Sequence, residues 1–211
     1  MSVTYVFDNG PSTPKKVDLE VREGDWISGK ALVPIIEEYA KGKKQIVGLE
    51  IGVEEAPTTV WLLEHLPTLK HYGVDPYVAY QDWYPGGYLH QDERNRVKET
   101  MLLRTKKYGD RFTLYEMKSD EAVSKFKDKS LDFIFIDGLH EYEQVLTDCR
   151  NYWPKMKKGA IFAGHDYKVI EGVGRAVNEF AAEIGQKEIN YLPANDIWYR
   201  SEEHTSELQS H

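Results

Sequence analysis

The feature that most constrains this chain is a rhythm of short apolar runs, each ending on a polar residue and each followed by a segment with helical spacing. The runs are QIVGLEIG (45–52), HYGVDPY (71–77), FTLYEMKS (112–119), LDFIFIDG (131–138) and AIFAGHDY (160–167). Between them lie TTVWLLEHL after Pro57, ERNRVKETMLLRTKKYG (93–109), DEAVSKFK, YEQVLTDCRNYWPKM and GVGRAVNEFAAEIG (172–185). A further helical segment, 28–41, precedes the first run, with apolar residues at Leu32, Ile35, Ile36 and Tyr39. Pro57 suits a helix start because the first helical position needs no amide hydrogen. EINYL and DIWYR read as a closing hairpin. This alternation predicts an α/β fold: a parallel sheet with helices on both faces, whose strands are near-continuously apolar because both faces are covered. Ligands of such open sheets sit outside the carboxyl ends of the strands, where the strand order reverses.

A chain of 211 residues suffices for one full domain. We place it at 28–199, after an irregular arm at 1–27. Residues 200–211, RSEEHTSELQSH, are polar and aperiodic. They read as a non-native or disordered tail, with no role for His204 or His211. No run approaches a membrane span, and the N-terminus lacks the pattern of a secretory signal. The single cysteine, Cys149, permits no internal disulfide; it reads as a small apolar filler, and a cytoplasmic setting is expected. A net charge of -8 argues against a broad nucleic-acid surface. No membrane or nucleic-acid partner is expected, and a homodimer is left open.

The strand ends carry the chemistry. Gly52 lets the backbone turn tightly and approach a ligand. The loop after it is no dinucleotide-binding glycine motif, since Glu54 and Ala56 stand where glycines are expected, and Glu54 and Glu55 would repel a pyrophosphate. A ligand without phosphates suits it better. Asp75, 25 residues beyond Glu50, is placed to accept hydrogen bonds from a ribose diol. Ser119 or Asp120 reads either as a helix cap or as an adenine contact. Asp137 ends the fourth run, with His140 three residues on, and His165 and Asp166 end the fifth.

The stretch IDGLHEYEQVLTDCRNYWPKMKKGAIFAGHDY, with EGVGRAVNEF after it, closely resembles the class I S-adenosylmethionine-dependent methyltransferases. Within them it is similar to a small family, methyltransferase domain 24. That family's pattern is Ile-Asp-x-x-His-x-Tyr, Asp, Trp-Pro, Lys-x-Gly-Gly, Gly-His-Asp-Tyr, Gly-Val and Ala-Val-x-Glu-Phe. The matching residues include Ile136, Asp137, His140, Tyr142, Asp148, Trp153, Gly164, His165, Asp166, Tyr167, Glu179 and Phe180, with Ala160 in place of the second glycine. The resemblance spans about 45–199. It implies a three-layer Rossmann-like sandwich with a seven-stranded sheet, the last strand antiparallel, and S-adenosylmethionine across the switch point. Glu50 and Gly52 would lie by the methionine half, Asp75 by the ribose, and Ser119 and Asp120 by the adenine. Asp137 would face the sulfonium and the substrate.

Methyl transfer from a sulfonium is an in-line displacement that aligns nucleophile, methyl and sulfur, and removes a proton when the nucleophile is a hydroxyl. His140 is the first candidate for the base and His165 the second, because an imidazole titrates near neutrality. Related catechol- and caffeoyl-type enzymes hold a divalent cation with an Asp after strand four and an Asp-Asn pair after strand five. Here Asp137 and Asp166 match, and Tyr167 replaces the asparagine, so a cation such as Mg²⁺ is a candidate cofactor. The aromatic stretch after the second run reads as a lid, with Trp83, Tyr84 and Tyr88 as walls and His90 or Arg94 as polar contacts. Arg94, Arg96 and Lys98 otherwise read as a solvated helix face. The leading expectation is a methyltransferase acting on a small-molecule hydroxyl. The alternatives are an NAD(P)-dependent oxidoreductase and a non-catalytic S-adenosylmethionine-binding module.

Overall fold

A computed structural model describes residues 27–81, 88–185 and 189–200. Almost all of the arm at 1–27 and of the tail at 200–211 lies outside these residues, as do Trp83 and Tyr84. In chain order the main elements are α1 (Gly29–Ala40), β1 (Ile46–Ile51), α2 (Pro57–His65), β2 (Leu69–Val74), β3 (Tyr80–Gln81), β4 (Tyr88–Leu89), α3 (Gln91–Thr105), β5 (Phe112–Tyr115), α4 (Ser119–Ala122), β6 (Leu131–Ile136), α5 (Tyr142–Tyr152), β7 (Met156–Gly164), α6 (Glu171–Glu183), β8 (Asn190–Leu192) and β9 (Ile197–Arg200).

Seven strands form one sheet in the order β5-β2-β1-β6-β7-β9-β8. The five strands from β5 to β7 are parallel, as the alternation predicts. β9 runs antiparallel between β7 and β8, which closes the sheet with a hairpin. The apolar runs are explained by burial on both faces. In β6, Phe133 and Phe135 pack against Ile36 of α1 and Leu62 and Leu63 of α2. Ile134 and Ile136 pack against Val145, Leu146 and Cys149 of α5 and Val177 of α6. Cys149 is fully buried there, and burial pushes its thiol up, as a filler role requires.

Two elements differ from the expectation. The aromatic stretch after β2, read from the sequence as a lid with no strands assigned, contains a short antiparallel pair, β3 with β4. The strand before Asp166 starts at Met156 rather than 160, because β7 pairs with β6 through a register shift. Neither change moves the strand ends. The order reverses between β1 and β6, so Gly52 and Asp137 meet there. The approach is so close that a Cβ on Gly52, whose φ is +83°, would lie 1.9 Å from the Asp137 carbonyl oxygen. Among the described residues no helix is long and apolar enough to cross a membrane.

Candidate functional site

A cavity of about 580 Å³ opens at this switch point. The ends of β1 (Ile51, Gly52), β2 (Val74, Asp75) and β6 (Asp137, Gly138) form its floor. Ser119 and Asp120 lie at one side, His140 at another, and Tyr80 and Leu89 of the β3–β4 pair form a wall. Of the cofactor-side residues expected from the sequence, Gly52, Asp75, Ser119, Asp120 and Asp137 converge on one space. Glu50 does not line it. Strand parity turns its side chain to the other face, where Thr59 donates a hydrogen bond to its carboxylate and the His71 ring lies 3.5 Å away.

The β1–α2 loop keeps the shape of a glycine loop without the glycines. Glu54 and Ala56 both take left-handed backbone conformations, at φ +50° and +63°. Asp75 holds the loop in place. Its Oδ2 accepts the amides of Val53 and Glu54, each at 3.1 Å, and its Oδ1 accepts the Tyr77 amide at 2.9 Å and Arg94 at 3.3 Å. Arg94 also donates to both carboxylate oxygens of Glu54, at 2.7 and 2.8 Å, and lies 5.5 Å from the ring centroids of Tyr77 and of Tyr80. Arg94 is therefore a buried part of the cavity wall, not a solvated residue, because the carboxylates it meets come from distant segments. His90 is absent from the wall; its amide donates to Glu93 at the start of α3.

At the opposite end, Ser119 begins α4. The residue in its capping position is Lys118, so neither Ser119 nor Asp120 caps it. Gln144 Nε2 donates to Ser119 Oγ and to Asp148 Oδ1, each at 3.2 Å. Burial pushes the Asp148 carboxyl up to about 7, against the hydrogen bonds from Ser119 and Gln144 that favour its charged form. Gln144 and Asp148 line the cavity and were not expected there. In the sequence Asp148 stands out only as a match to the family pattern, with no role attached, and the signal for Gln144 is its helical spacing four before Asp148 on the face of α5 turned to the strand ends.

The third side gathers the titratable groups. His140 Nε2 lies 2.9 Å from Asp166 Oδ2, and His165 Nδ1 lies 3.2 Å from the same oxygen and 3.6 Å from Asp137 Oδ1. Burial pushes the Asp137 carboxyl up to about 6; His165 opposes this and Asp166 adds to it. Burial would lower His165, but its hydrogen bond to Asp166 and the two carboxylate charges outweigh it and raise the imidazole to about 9. Burial would raise Asp166, yet hydrogen bonds from His140 and His165 hold it well below the usual carboxylate range. Asp166 has φ +58°, and the loop after it is fixed by Asp196, whose carboxylate accepts the amides of Lys168 and Val169 at 2.9 Å. Of this group only Asp137 and His140 line the cavity. Asp166 stands behind His140, and His165 faces a separate small void.

A family model described as a methyltransferase domain matches residues 49–167, more than half of the chain. The chain belongs to that methyltransferase family. The match runs from β1 through the Gly-His-Asp-Tyr segment, and so takes in every strand end of the cavity. The methyltransferase chain is 26% identical over 148 residues to uncharacterized protein R132 of Acanthamoeba polyphaga mimivirus, an alignment covering 67% of this chain and 62% of that protein. It therefore spans less than two thirds of that relative's length. Among solved structures, the O-methyltransferase NovP superposes with a TM-score of 0.66 at 17% identity, covering 82% of this chain and 78% of that one. The apo structure of CalS11, a TDP-rhamnose 3′-O-methyltransferase of calicheamicin biosynthesis, gives 0.53 at 14% identity, covering 82% and 78%. At these identities the likeness establishes the fold.

Proposed function

We propose that this methyltransferase domain binds S-adenosylmethionine and transfers its methyl group to a hydroxyl oxygen of a small molecule. One observation carries the proposal. A single cavity at the switch point has polar groups suited to a nucleoside at one end and an imidazole backed by a carboxylate at the other. That NovP and CalS11 are both O-methyltransferases supports oxygen as the acceptor atom.

The cofactor supplies an activated methyl group, and this chain's residues manage position and proton. His140 Nε2 faces Asp166, so its proton is held there and Nδ1 carries the lone pair. Nδ1 takes the proton of the acceptor hydroxyl as its oxygen bonds to the methyl carbon and the carbon–sulfur bond breaks. Asp166 orients the ring and stabilises the imidazolium that results, as in other base–carboxylate pairs. Asp137, at the floor beside Gly52, favours a cationic ligand. That charge disappears on transfer, so Asp137 serves binding more than rate. His165 holds Asp166 rather than meeting substrate.

Asp137, His140 and Asp166 also fit a divalent cation, since one ligand atom from each lies within 4.8 Å of the others. Held there, a cation would supply polarisation of the acceptor hydroxyl. Exhaustive chelation decides this reading: activity lost with cofactor affinity retained supports the cation, and unchanged activity removes it.

The oxidoreductase alternative is disfavoured by the β1–α2 loop, which has Glu54 and Ala56 where a dinucleotide-binding loop has glycines. Calorimetry with S-adenosylhomocysteine tests the main reading, and absence of binding refutes it. Binding without transfer to any hydroxyl in a broad acceptor panel would leave the domain as a binding module.

A further inference from the structure

The cavity takes up the carboxyl edge of the sheet. The opposite edge carries a charge pattern that methyl transfer does not use. The segments at the amino ends of β1, β6 and β7 read KGKK (41–44), KFKDK (125–129) and KMKK (155–158), nine lysines and no arginine. These three strands are adjacent and parallel, so the segments lie side by side. Backbone bonds join two of them: the Lys129 amide donates to the Pro154 carbonyl at 3.0 Å, and the Ser130 amide to the Lys155 carbonyl at 2.8 Å. Asp132, 1% exposed, ties in the third. It accepts the Val47 amide at 2.9 Å and Lys157 Nζ at 2.6 Å, with Lys43 Nζ 4.0 Å away.

The carboxylates interleaved with these lysines are already taken up. Glu38, Asp128 and Asp132 are met by Lys41, Lys155 and Lys157 at 2.5, 2.7 and 2.6 Å. Lys44, Lys125, Lys127, Lys129 and Lys158 are exposed, and among the described residues none of the five meets a carboxylate. The net charge of -8 is therefore carried elsewhere on the chain. β6 runs six residues from this edge to the cavity floor. At about 3.3 Å per residue that is about 20 Å. Charges are screened over about 8 Å at physiological salt, so an anion at the lysine edge does not feel the acids of the cavity.

Composition selects among anions. Lysine is a compact ammonium on a flexible stem, without the planar fork by which arginine grips a phosphate or a base edge. The apolar side chains within these segments, Phe126 and Met156, are 7% and 8% exposed. No aromatic there is open for bases to stack on, and no apolar anchor is open for a protein interface, whose core is depleted of lysine. What remains is attraction to many mobile anions at once, as when clusters of about four to eight basic residues meet anionic lipid headgroups. We propose that the lysine edge at the amino ends of β1, β6 and β7 docks this domain on an anionic lipid surface, with the cavity edge turned to solvent. The expectation of no membrane partner concerned a spanning segment, which a peripheral contact does not need. The inference is independent of the cofactor reading.

The test is cosedimentation of the whole chain with phosphatidylcholine vesicles, with and without phosphatidylserine. Wild type should partition onto the phosphatidylserine vesicles alone and come off as salt is raised. Each lysine at such a surface contributes about fivefold, so Lys127→Gln with Lys129→Gln should weaken partitioning about 25-fold. Lys168→Gln, an exposed lysine at the cavity edge, should leave it unchanged. Denaturant unfolding checks that the variants fold, and Lys44→Gln with Lys125→Gln decides if the first pair does not. Wild type that ignores phosphatidylserine at low salt overturns the proposal. So does partitioning unchanged in the folded lysine pair, or lost equally in Lys168→Gln. Release from the vesicles by polyglutamate or duplex DNA at a lower charge concentration than the lipid offers would assign the edge to a protein or nucleic-acid partner and overturn the lipid.

Discussion

Single residues at the strand ends decide what the cavity can hold. Gly52 is the least replaceable: an alanine methyl would collide with the Asp137 carbonyl at a backbone angle that already disfavours side chains. Overpacking and left-handed strain together should make Gly52→Ala cost about 3 kcal/mol or more, measurable by denaturant unfolding. His140→Ala should lower kcat by about 10²–10⁴-fold while S-adenosylhomocysteine affinity stays unchanged; a large loss of affinity with intact kcat would contradict the role of base. Asp148 yields a stability prediction. Its folded value of about 7 lies above the 3.8 of an exposed aspartate, so the folded state holds a proton that the unfolded state releases between those values. Stability from this group therefore falls as pH rises from about 4 to about 7 and then levels. Asp148→Asn, which keeps an oxygen for Gln144, should be more stable than wild type at pH 8, with the gap closing below pH 4. A gap independent of pH would show that Asp148 does not titrate in this window. The sequence showed that Asp75, Asp137 and His140 end or follow strands. It did not show that Glu50 points the other way, because a strand buried on both faces carries no polar–apolar alternation from which parity can be read.

Among the elements, α3 is the one whose role sequence periodicity concealed. Helical spacing locates a helix by its apolar stripe, and in α3 the only fully buried apolar side chain is Met101. The helix is attached instead by charge. Arg94 meets Glu54 and Asp75, Lys98 meets Glu116 at 2.6 Å, and Arg104 meets Glu55 at 3.2 Å and donates to its carbonyl at 3.1 Å. The glutamates that would repel a pyrophosphate are thus neutralised by one helix, and the β1–α2 loop is clamped between Asp75 below and α3 above. Ion pairs of exposed partners weaken as salt screens them. Arg104→Ala should raise amide hydrogen exchange across 91–105 and the β1–α2 loop and leave β1 and β6 unchanged, and the difference from wild type should shrink in molar salt, where the Arg104–Glu55 pair is already screened. Exchange unchanged in α3 would mean that packing through Met101 holds the helix. The strands and α5 were legible because their burial is apolar. The short β3–β4 pair was not, since two-residue strands carry no periodicity.

At the scale of the molecule, the account depends on sheet topology. Order reversal between β1 and β6 opens one space where the ends of three strands converge. Residues as far as 96 positions apart in sequence, from Gly52 through Asp137 to Asp148, line one cavity because the parallel sheet brings all its carboxyl ends to one edge. The family match covers this edge from β1 through the end of β7. The antiparallel β9 and its hairpin supply Asp196, which fixes the loop behind Asp166 and thereby the imidazole that faces the cavity. The most direct measurement is a crystal structure of the chain with S-adenosylhomocysteine. The account predicts the sulfur between Asp137 and His140, the ribose at the carboxyl end of β2, and the adenine between Ser119, Asp120 and Gln144. A ligand seated on any other edge of the sheet, or with its adenine at His140, would contradict it.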